Sequence, residues 1–373
     1  MITIKDLRKA FGLSFVVLCA VYLGALFESF RLDQLELDPS AFDELAKALY
    51  EAQLAQAKMM NIIALGVIGA FAVVTLVFSV SKYVDDNRAN MGILKAIGYT
   101  DFQISVKFVL FGLNALVGGL VGYLACLATV PAFYAEMNEG SGYPAVTFSF
   151  RLSVPLFYVV VPAVAFSLLG VLFAYRKLKR SPLDLIRGTE RQGKTKKMKE
   201  GKTFLSTLRK TVLFRHGSLI LFVGFAALCF GGTVQMSFSM DGFGVSPMFF
   251  WMMFLIAILL GVSVLYLAFS FLFQANKEYV SLLKAFGYSD AECVKALFGG
   301  YVSVSVIGFA VGTVYQIGII YLIIELFKDV AELTYTFSVN GFFIALGLFV
   351  FTFAVIALYF FKKLKLLTLK KAW

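Results

Sequence analysis

The chain has 373 residues, of which 60% are hydrophobic and only 15% charged, and its mean hydropathy is +0.83. Soluble domains carry about a quarter charged residues, so this composition excludes a soluble globular fold and implies a polytopic helical membrane protein. The formal net charge of +11 is not a nucleic-acid signature, because the basic residues fall in alternate loops, as the positive-inside rule requires.

In chain order, Lys5, Arg8 and Lys9 precede a first apolar run at about 11–30. That run lacks a small-residue cleavage site and reads as a retained span. Further spans are expected at about 59–81, 103–131, 152–175, 215–238, 247–273, 293–326 and 337–361. The loop 31–57 is acidic, and loop 132–150 carries Glu136 and Glu139. Loops 82–102, 176–214 and 274–292 are basic. Eight crossings then place both termini and all three basic loops in the cytosol, as in a multi-pass protein of a bacterial plasma membrane. The fold class is all-α, with two parallel four-helix repeats, each carrying a short cytosolic helix. The domains are 1–188 and 203–373, joined by a basic linker at 189–202.

The repeat rests on one phrase. Gly92-Ile93-Leu94-Lys95-Ala96-Ile97-Gly98-Tyr99-Thr100-Asp101 returns 189 positions later as Ser281-Leu282-Leu283-Lys284-Ala285-Phe286-Gly287-Tyr288-Ser289-Asp290, with six of ten residues identical. Asn87-Arg88 matches Asn276-Lys277 in the same register. Leu7-Arg8-Lys9 resembles Leu208-Arg209-Lys210, which makes the first copy 12 residues longer, with the surplus assigned to loop 31–57. Even-numbered copies are parallel repeats about an axis along the membrane normal.

Physically the phrase predicts a short helix (84–97 and 276–286), a sharp turn and a second helix. Gly98 and Gly287 suit a C-terminal residue with positive φ, and Thr100 and Ser289 suit N-caps. Ile93, Leu94 and Ile97, with Leu282, Leu283 and Phe286, form an apolar stripe that suits a groove on a soluble partner, with Lys95 and Lys284 on its rim. An interfacial helix lying among headgroups is the other reading. The duplication favours the partner, because two equivalent docking points fit a two-subunit partner. Gly118 and Gly122, with Gly308 and Gly312, have the small-xxx-small spacing that brings two spans close, the two repeats being one candidate pairing. Ordinary glycine use in membrane helices is the alternative.

Other chemistry is sparse. Cys19, Cys126, Cys229 and Cys293 are scattered and read as small hydrophobes, and His216 is the lone histidine. Asp85-Asp86 reads as a solvated helix start, since a diphosphate-handling site needs a second acidic cluster. No Gly-x-x-x-x-Gly-Lys-Ser/Thr occurs, so this chain has no P-loop. Few carboxylates lie at mid-span, which disfavours an ion-coupled secondary transporter.

The paired phrase, a cytosolic arginine before it and a long glycine-bearing span after it resemble the FtsX/MacB-like permeases of ABC transporters. Arg176-Lys177-Leu178-Lys179-Arg180-Ser181-Pro182-Leu183-Asp184-Leu185-Ile186-Arg187 resembles the basic tail that closes such domains; the second tail, Lys362 to Trp373, lacks the proline. The resemblance implies a permease subunit and no enzyme. ATP and Mg are expected on separate ABC ATPase subunits, two of them, and no cofactor in this chain. Arg88, Lys277 and the two stripes become coupling helices. One chain alone or a pair with a second permease chain forms the membrane part. The cargo class implied is amphipathic or lipidic, such as a peptide. A secondary transporter, or a scaffold or signalling protein without an ATPase, is the alternative.

Overall fold

The structure, a computed structural model, describes residues 11–139, 141–187, 209, 213, 217–239, 247–327 and 337–365. Leu7–Lys9, the whole linker 189–202 and the second tail beyond Lys365 lie outside the described residues. The elements are α1 (Phe11–Gln34), α2 (Glu44–Ile62), α3 (Gly69–Asp86), α4 (Arg88–Ala96), α5 (Asp101–Ser105), α6 (Leu110–Asn138), α7 (Val161–Leu178), α8 (Pro182–Arg187), α9 (Gly217–Ser239), α10 (Pro247–Ala285), α11 (Asp290–Phe327) and α12 (Val339–Lys365). Eight of the resulting helical runs are long and apolar enough to cross a membrane, and no strand occurs among the described residues. The fold is that of an all-α membrane protein.

Burial sorts the spans. Helices α1 and α9 are largely enclosed by protein. Helices α7 and α12 are peripheral. Their outward residues, among them Val164, Leu168, Phe343, Phe351 and Leu358, are exposed. Apolar faces of that extent, on helices whose backbone bonds are all internal, suit hydrocarbon.

Each half is held by one tight pair, α1 on α6 and α9 on α11. The glycines make both pairs. A β-carbon on Gly118 or Gly308 would overlap the carbonyl of Ser14 or Gly224, and one on Gly122 or Gly312 would lie 2.6 Å from that of Leu18 or Leu228. Bare backbone on one helix therefore meets bare carbonyls on the other. The close approach lies inside each repeat, not between repeats; the pairing of one repeat with the other is corrected accordingly.

Between the halves the contacts exchange. Helix α1 meets α10, where a β-carbon on Gly12 would lie 3.1 Å from the Ser263 carbonyl. Helix α9 meets α3 through Phe222–Phe78 and Phe225–Phe71, at centroid distances of 4.6 and 5.5 Å. First span on sixth, fifth on second, is the reciprocity that a two-fold axis along the spans produces.

These contacts also fix the register. Ser14 answers Gly224 and Leu18 answers Leu228, while the match of Leu7–Lys9 with Leu208–Lys210 lies outside the described residues. From Ser14 to Gly98 is 84 residues and from Gly224 to Gly287 is 63, a surplus of 21 rather than 12.

The surplus lies where expected, but it is not a loop. Helix α1 runs on to Gln34, and α2 begins at Glu44 and continues through a π-helical stretch, Ile63–Ile68, into α3. With the extended segment after α6, these residues build a cap on the side opposite the short α4 helix. Asp33 is buried there, accepting from the Tyr134 hydroxyl at 2.7 Å and the Ser149 amide at 3.2 Å, and pairing with Arg151 at 3.1 Å. Gln34 donates to the Tyr50 carbonyl at 3.1 Å. Burial pushes the Tyr143 phenol up to about 12, so it stays protonated and donates to Gln53.

A second π-helical stretch, Leu156–Val160, precedes α7. Pro162 explains it: proline has no N–H for the Tyr158 carbonyl and its ring crowds that carbonyl, so the turn widens.

Candidate functional site: the paired elbows

Each repeated phrase folds into a helix end, a left-handed glycine and a new helix start. Gly98 and Gly287 have φ of +105° and +85°, a region that β-carbons penalise. Around Gly98, the Tyr99 amide donates to the Leu94 carbonyl at 3.1 Å and the Gly98 amide to that of Lys95 at 3.0 Å. Around Gly287, Tyr288 donates to Leu283 at 3.1 Å and Gly287 to Lys284 at 3.0 Å. Both are Schellman closures with the same bonds.

The next helices start alike. Thr100 and Gln103 form a reciprocal capping box at 3.3 and 3.0 Å. Ser289 and Glu292 form another at 3.4 and 3.0 Å. The four-residue link between helices thus has its backbone satisfied, and the turn is stiff.

The lysines are not on a rim. Lys95 turns back to pair with Asp101 at 2.7 Å, across the turn, and its side chain is 12% exposed. It also donates to the Leu178 and Arg180 carbonyls at 2.8 and 2.5 Å, a cation on the exposed carbonyls of a helix C-terminus. Lys284 pairs with Asp290 at 2.8 Å in the same way. Each lysine staples its short helix to the span that leaves the turn.

The stripe divides. Leu283 is buried and Leu94 packs against the core. Ile93 and Ile97, with Leu282 and Phe286, face outward at i, i+4; Ile97 is 71% and Phe286 73% exposed. Tyr99 and Phe102 extend the first apolar patch. Arg88 opens α4 and is half-buried. Lys277 lies within α10, and its side chain is outside the described residues.

The flanks differ. In the first copy Asn87 breaks the helix at φ −112°, ψ 15°, so the short helix is 88–96 rather than 84–97. In the second, 276–286 is not a separate helix: α10 runs 39 residues without interruption to Ala285. The asparagines nevertheless make the same bond, Asn87 to the Tyr83 carbonyl at 3.0 Å and Asn276 to that of Leu272 at 2.9 Å.

The Asp85-Asp86 pair ends α3 instead of starting a helix, where the dipole disfavours acid. Lysines neutralise it: Lys177 reaches Asp85 and the Ser81 carbonyl, both at 2.7 Å, and Lys82 reaches Asp86 at 2.7 Å. Helix α8 packs against α4 and buries Leu185. The Lys82–Asp86 spacing was visible as i, i+4; the bridge from Lys177, 92 residues away in sequence, carried no local signal.

A family model described as FtsX-like permease C-terminal matches residues 62–183 and 251–367. No curated protein and no solved structure matches the chain. The two matched segments each run from the second span of a half through its elbow to its last span. Matched twice, over more than half of its length, the chain belongs to the FtsX-like permease family and carries the family's domain in tandem.

Proposed function

We propose that this chain is the transmembrane permease subunit of an ABC transporter, moving an amphipathic or lipidic cargo such as a peptide with energy from a separate ATPase. Family membership supports a permease-type membrane component. The finer reading rests on one observation: two elbows with the same closure, each presenting an outward apolar pair, Ile93/Ile97 and Leu282/Phe286, on a stapled turn. A helix presenting i, i+4 anchors fits a groove on a soluble partner, and paired elbows fit two ATPase subunits. This orientation puts the elbows and both termini in the cytosol.

The stapled turns supply the mechanics. A push on Ile97 passes through α4, the Lys95–Asp101 pair and the capping box into the span ending in α6, because these bonds brace the turn between them. Helix α6 carries the glycine seam against α1, so the whole half moves as a body. Such motion is the shear and hinge repertoire of packed helices.

The test is reconstitution in proteoliposomes with candidate ABC ATPases from the same genome, beginning with any encoded beside this gene. Hydrolysis stimulated by the permease, and lost in Ile97→Glu and Phe286→Glu variants that still fold, is the expected result. Absence of stimulation by the wild-type chain, with correctly inserted protein, would overturn the reading.

A further inference from the structure

The two halves also differ between the first, second and fourth spans. In the first half a cavity of about 250 Å³ is floored by Val17, Val21, Ala64, Ala72 and Phe166. Its lip is formed by Leu65, Phe157 and Val161, which are exposed on the outside of the helix bundle. Both π-helical stretches, Ile63–Ile68 and Leu156–Val160, border it. Widened turns of this kind are frequent at functional sites, although Pro162 accounts for the second of these two.

The second half fills the equivalent space. Counted from the glycine contacts, Ala20 in the cavity wall answers Phe230; counted from the elbows, Ala72 answers Gly261. Phe230 is fully buried, and a β-carbon on Gly261 would lie 2.7 Å from its ring. Phe349 closes on the same ring at a centroid distance of 5.6 Å. Residue for residue, the first half lacks the plug that its sister carries.

The cavity wall is apolar, and a polar cluster adjoins it behind Tyr158. Tyr158, which lines the cavity, donates to Asn61. Asn61 donates to Glu28 at 2.6 Å, and Arg31 grips Glu28 with bonds of 2.9 and 2.6 Å. Arg31 and Glu28 keep 30% and 20% of their side chains exposed. In the second half Glu28 is replaced by Phe238, which packs on Phe250 at 5.4 Å.

We propose that this cavity binds one amphiphile sideways from the bilayer, its alkyl chain lying between Ala20 and Ala72 and its polar head against the Glu28–Arg31–Asn61–Tyr158 cluster. The space exceeds the roughly 150 Å³ of an apolar cavity that admits benzene, so several methylenes fit. Lipid tails are as apolar as the cavity wall, so chain burial alone discriminates nothing. Selection comes from the head. The cluster pairs its own charges, which suits a zwitterionic head, its anionic oxygens toward Arg31 and its cation toward Glu28, over a lone anion. Treating the bound molecule as cargo rests on the transport reading above; the site itself does not.

Photolabelling the full chain in nanodiscs tests this. The probes are a single-chain phosphocholine with a diazirine at its chain end and the matching headless diazirine alkane. The phosphocholine should label peptides around 61–73 and 156–166 about tenfold more than the outward face of α12, the ratio one charged hydrogen bond supplies. Ala20→Phe with Ala72→Gly, which installs the sister's plug, should bring phosphocholine labelling down to the α12 level. Asn61→Leu with Tyr158→Phe should cut phosphocholine labelling and spare the alkane. If the plugged variant fails to fold, the head variant decides alone. Equal labelling of α12 in the wild type, unchanged labelling on plugging, or a head variant that labels as the wild type does, would each overturn the site. ATPase stimulation measured on the same preparations separates the two ideas: labelling that obeys these rules without stimulation sinks transport and leaves the site, and stimulation without site-selective labelling does the reverse.

Discussion

The two halves of this chain share their elbows and their glycine seams and differ in what joins them. From Thr100 to Gly118 is 18 residues, and from Ser289 to Gly308 is 19, yet both glycines reach the same point on the first helix of their half. The shorter copy contains a 3₁₀ stretch, Val106–Val109, where the longer has continuous α-helix. Each 3₁₀ residue turns about 20° further and rises about 0.5 Å more than an α residue. Over four residues that recovers about 80° and 2 Å, close to the 100° and 1.5 Å of the missing residue. Cap and seam are thus held fixed while the helix between them adjusts. Where the comparison finds identity, in the turn and the seam, the geometry tolerates no drift; where it finds difference, the fold has slack.

The seam offers the harshest way to break this equivalence. Gly122→Leu and Gly312→Leu each drive a side chain into backbone, which cannot rotate away, so the overpacking cost should reach or exceed about 3 kcal/mol. Both should abolish monodisperse protein on size exclusion. Survival of one variant and loss of the other would show that one half alone nucleates the bundle. Next in size are Ile97→Glu and Phe286→Glu. Both sites are exposed, so melting should be unchanged, while loss of a docking anchor of about 2 kcal/mol lowers ATPase stimulation more than tenfold. Equal losses support two equivalent docking points, and a one-sided loss would assign coupling to one elbow.

What the sequence disclosed follows the range of each interaction. The elbows were legible because glycine at the helix end, a Thr or Ser cap and its partner three residues on lie within one short phrase. The seam glycines were legible by spacing, but their partners Ser14 and Gly224 stand far away in the chain and carry no motif. Lys95 looked like a free rim cation, since its acceptors Leu178 and Arg180 lie 83 and 85 residues off. The length difference between the halves was the opposite case: it was counted from a three-residue match outside the described residues, and the packing of Ser14 and Gly224 sets the register within the spans. Loop 31–57 was read as a loop from its acids, whereas its α2 portion is helical with apolar positions turned inward, Ala46, Tyr50 and Ala57 being buried.

The staples should be unequal. Lys95 holds α4 to the end of α7 besides spanning its own turn, and α4 is cut off from α3 at Asn87. Residues 277–285 are the uninterrupted end of α10, so the span itself supports them. Lys95→Ala removes a charged hydrogen bond worth about 1.5–3 kcal/mol and should speed amide exchange over 88–96 by about tenfold or more. Lys284→Ala should change exchange over 277–285 by less. Equal responses would mean that the break at Asn87 has no mechanical consequence.

The smallest effect concerns the helical slack itself. Inserting one alanine after Phe108 restores the residue count of the second copy. The 3₁₀ stretch, no longer required to overwind, then relaxes to α-helix with better-aligned bonds, and the cap and Gly118 keep their places. The expected change in stability is under about 1 kcal/mol, read as a melting shift of at most a few degrees. The same alanine inserted between Gly118 and Gly122 has no such reserve. It rotates one glycine of the seam about 100° away from its carbonyl and should unfold the half. If the insertion after Phe108 proves as damaging as the one inside the seam, the 3₁₀ stretch is not a register compensator, and the difference between the two helices has some other origin.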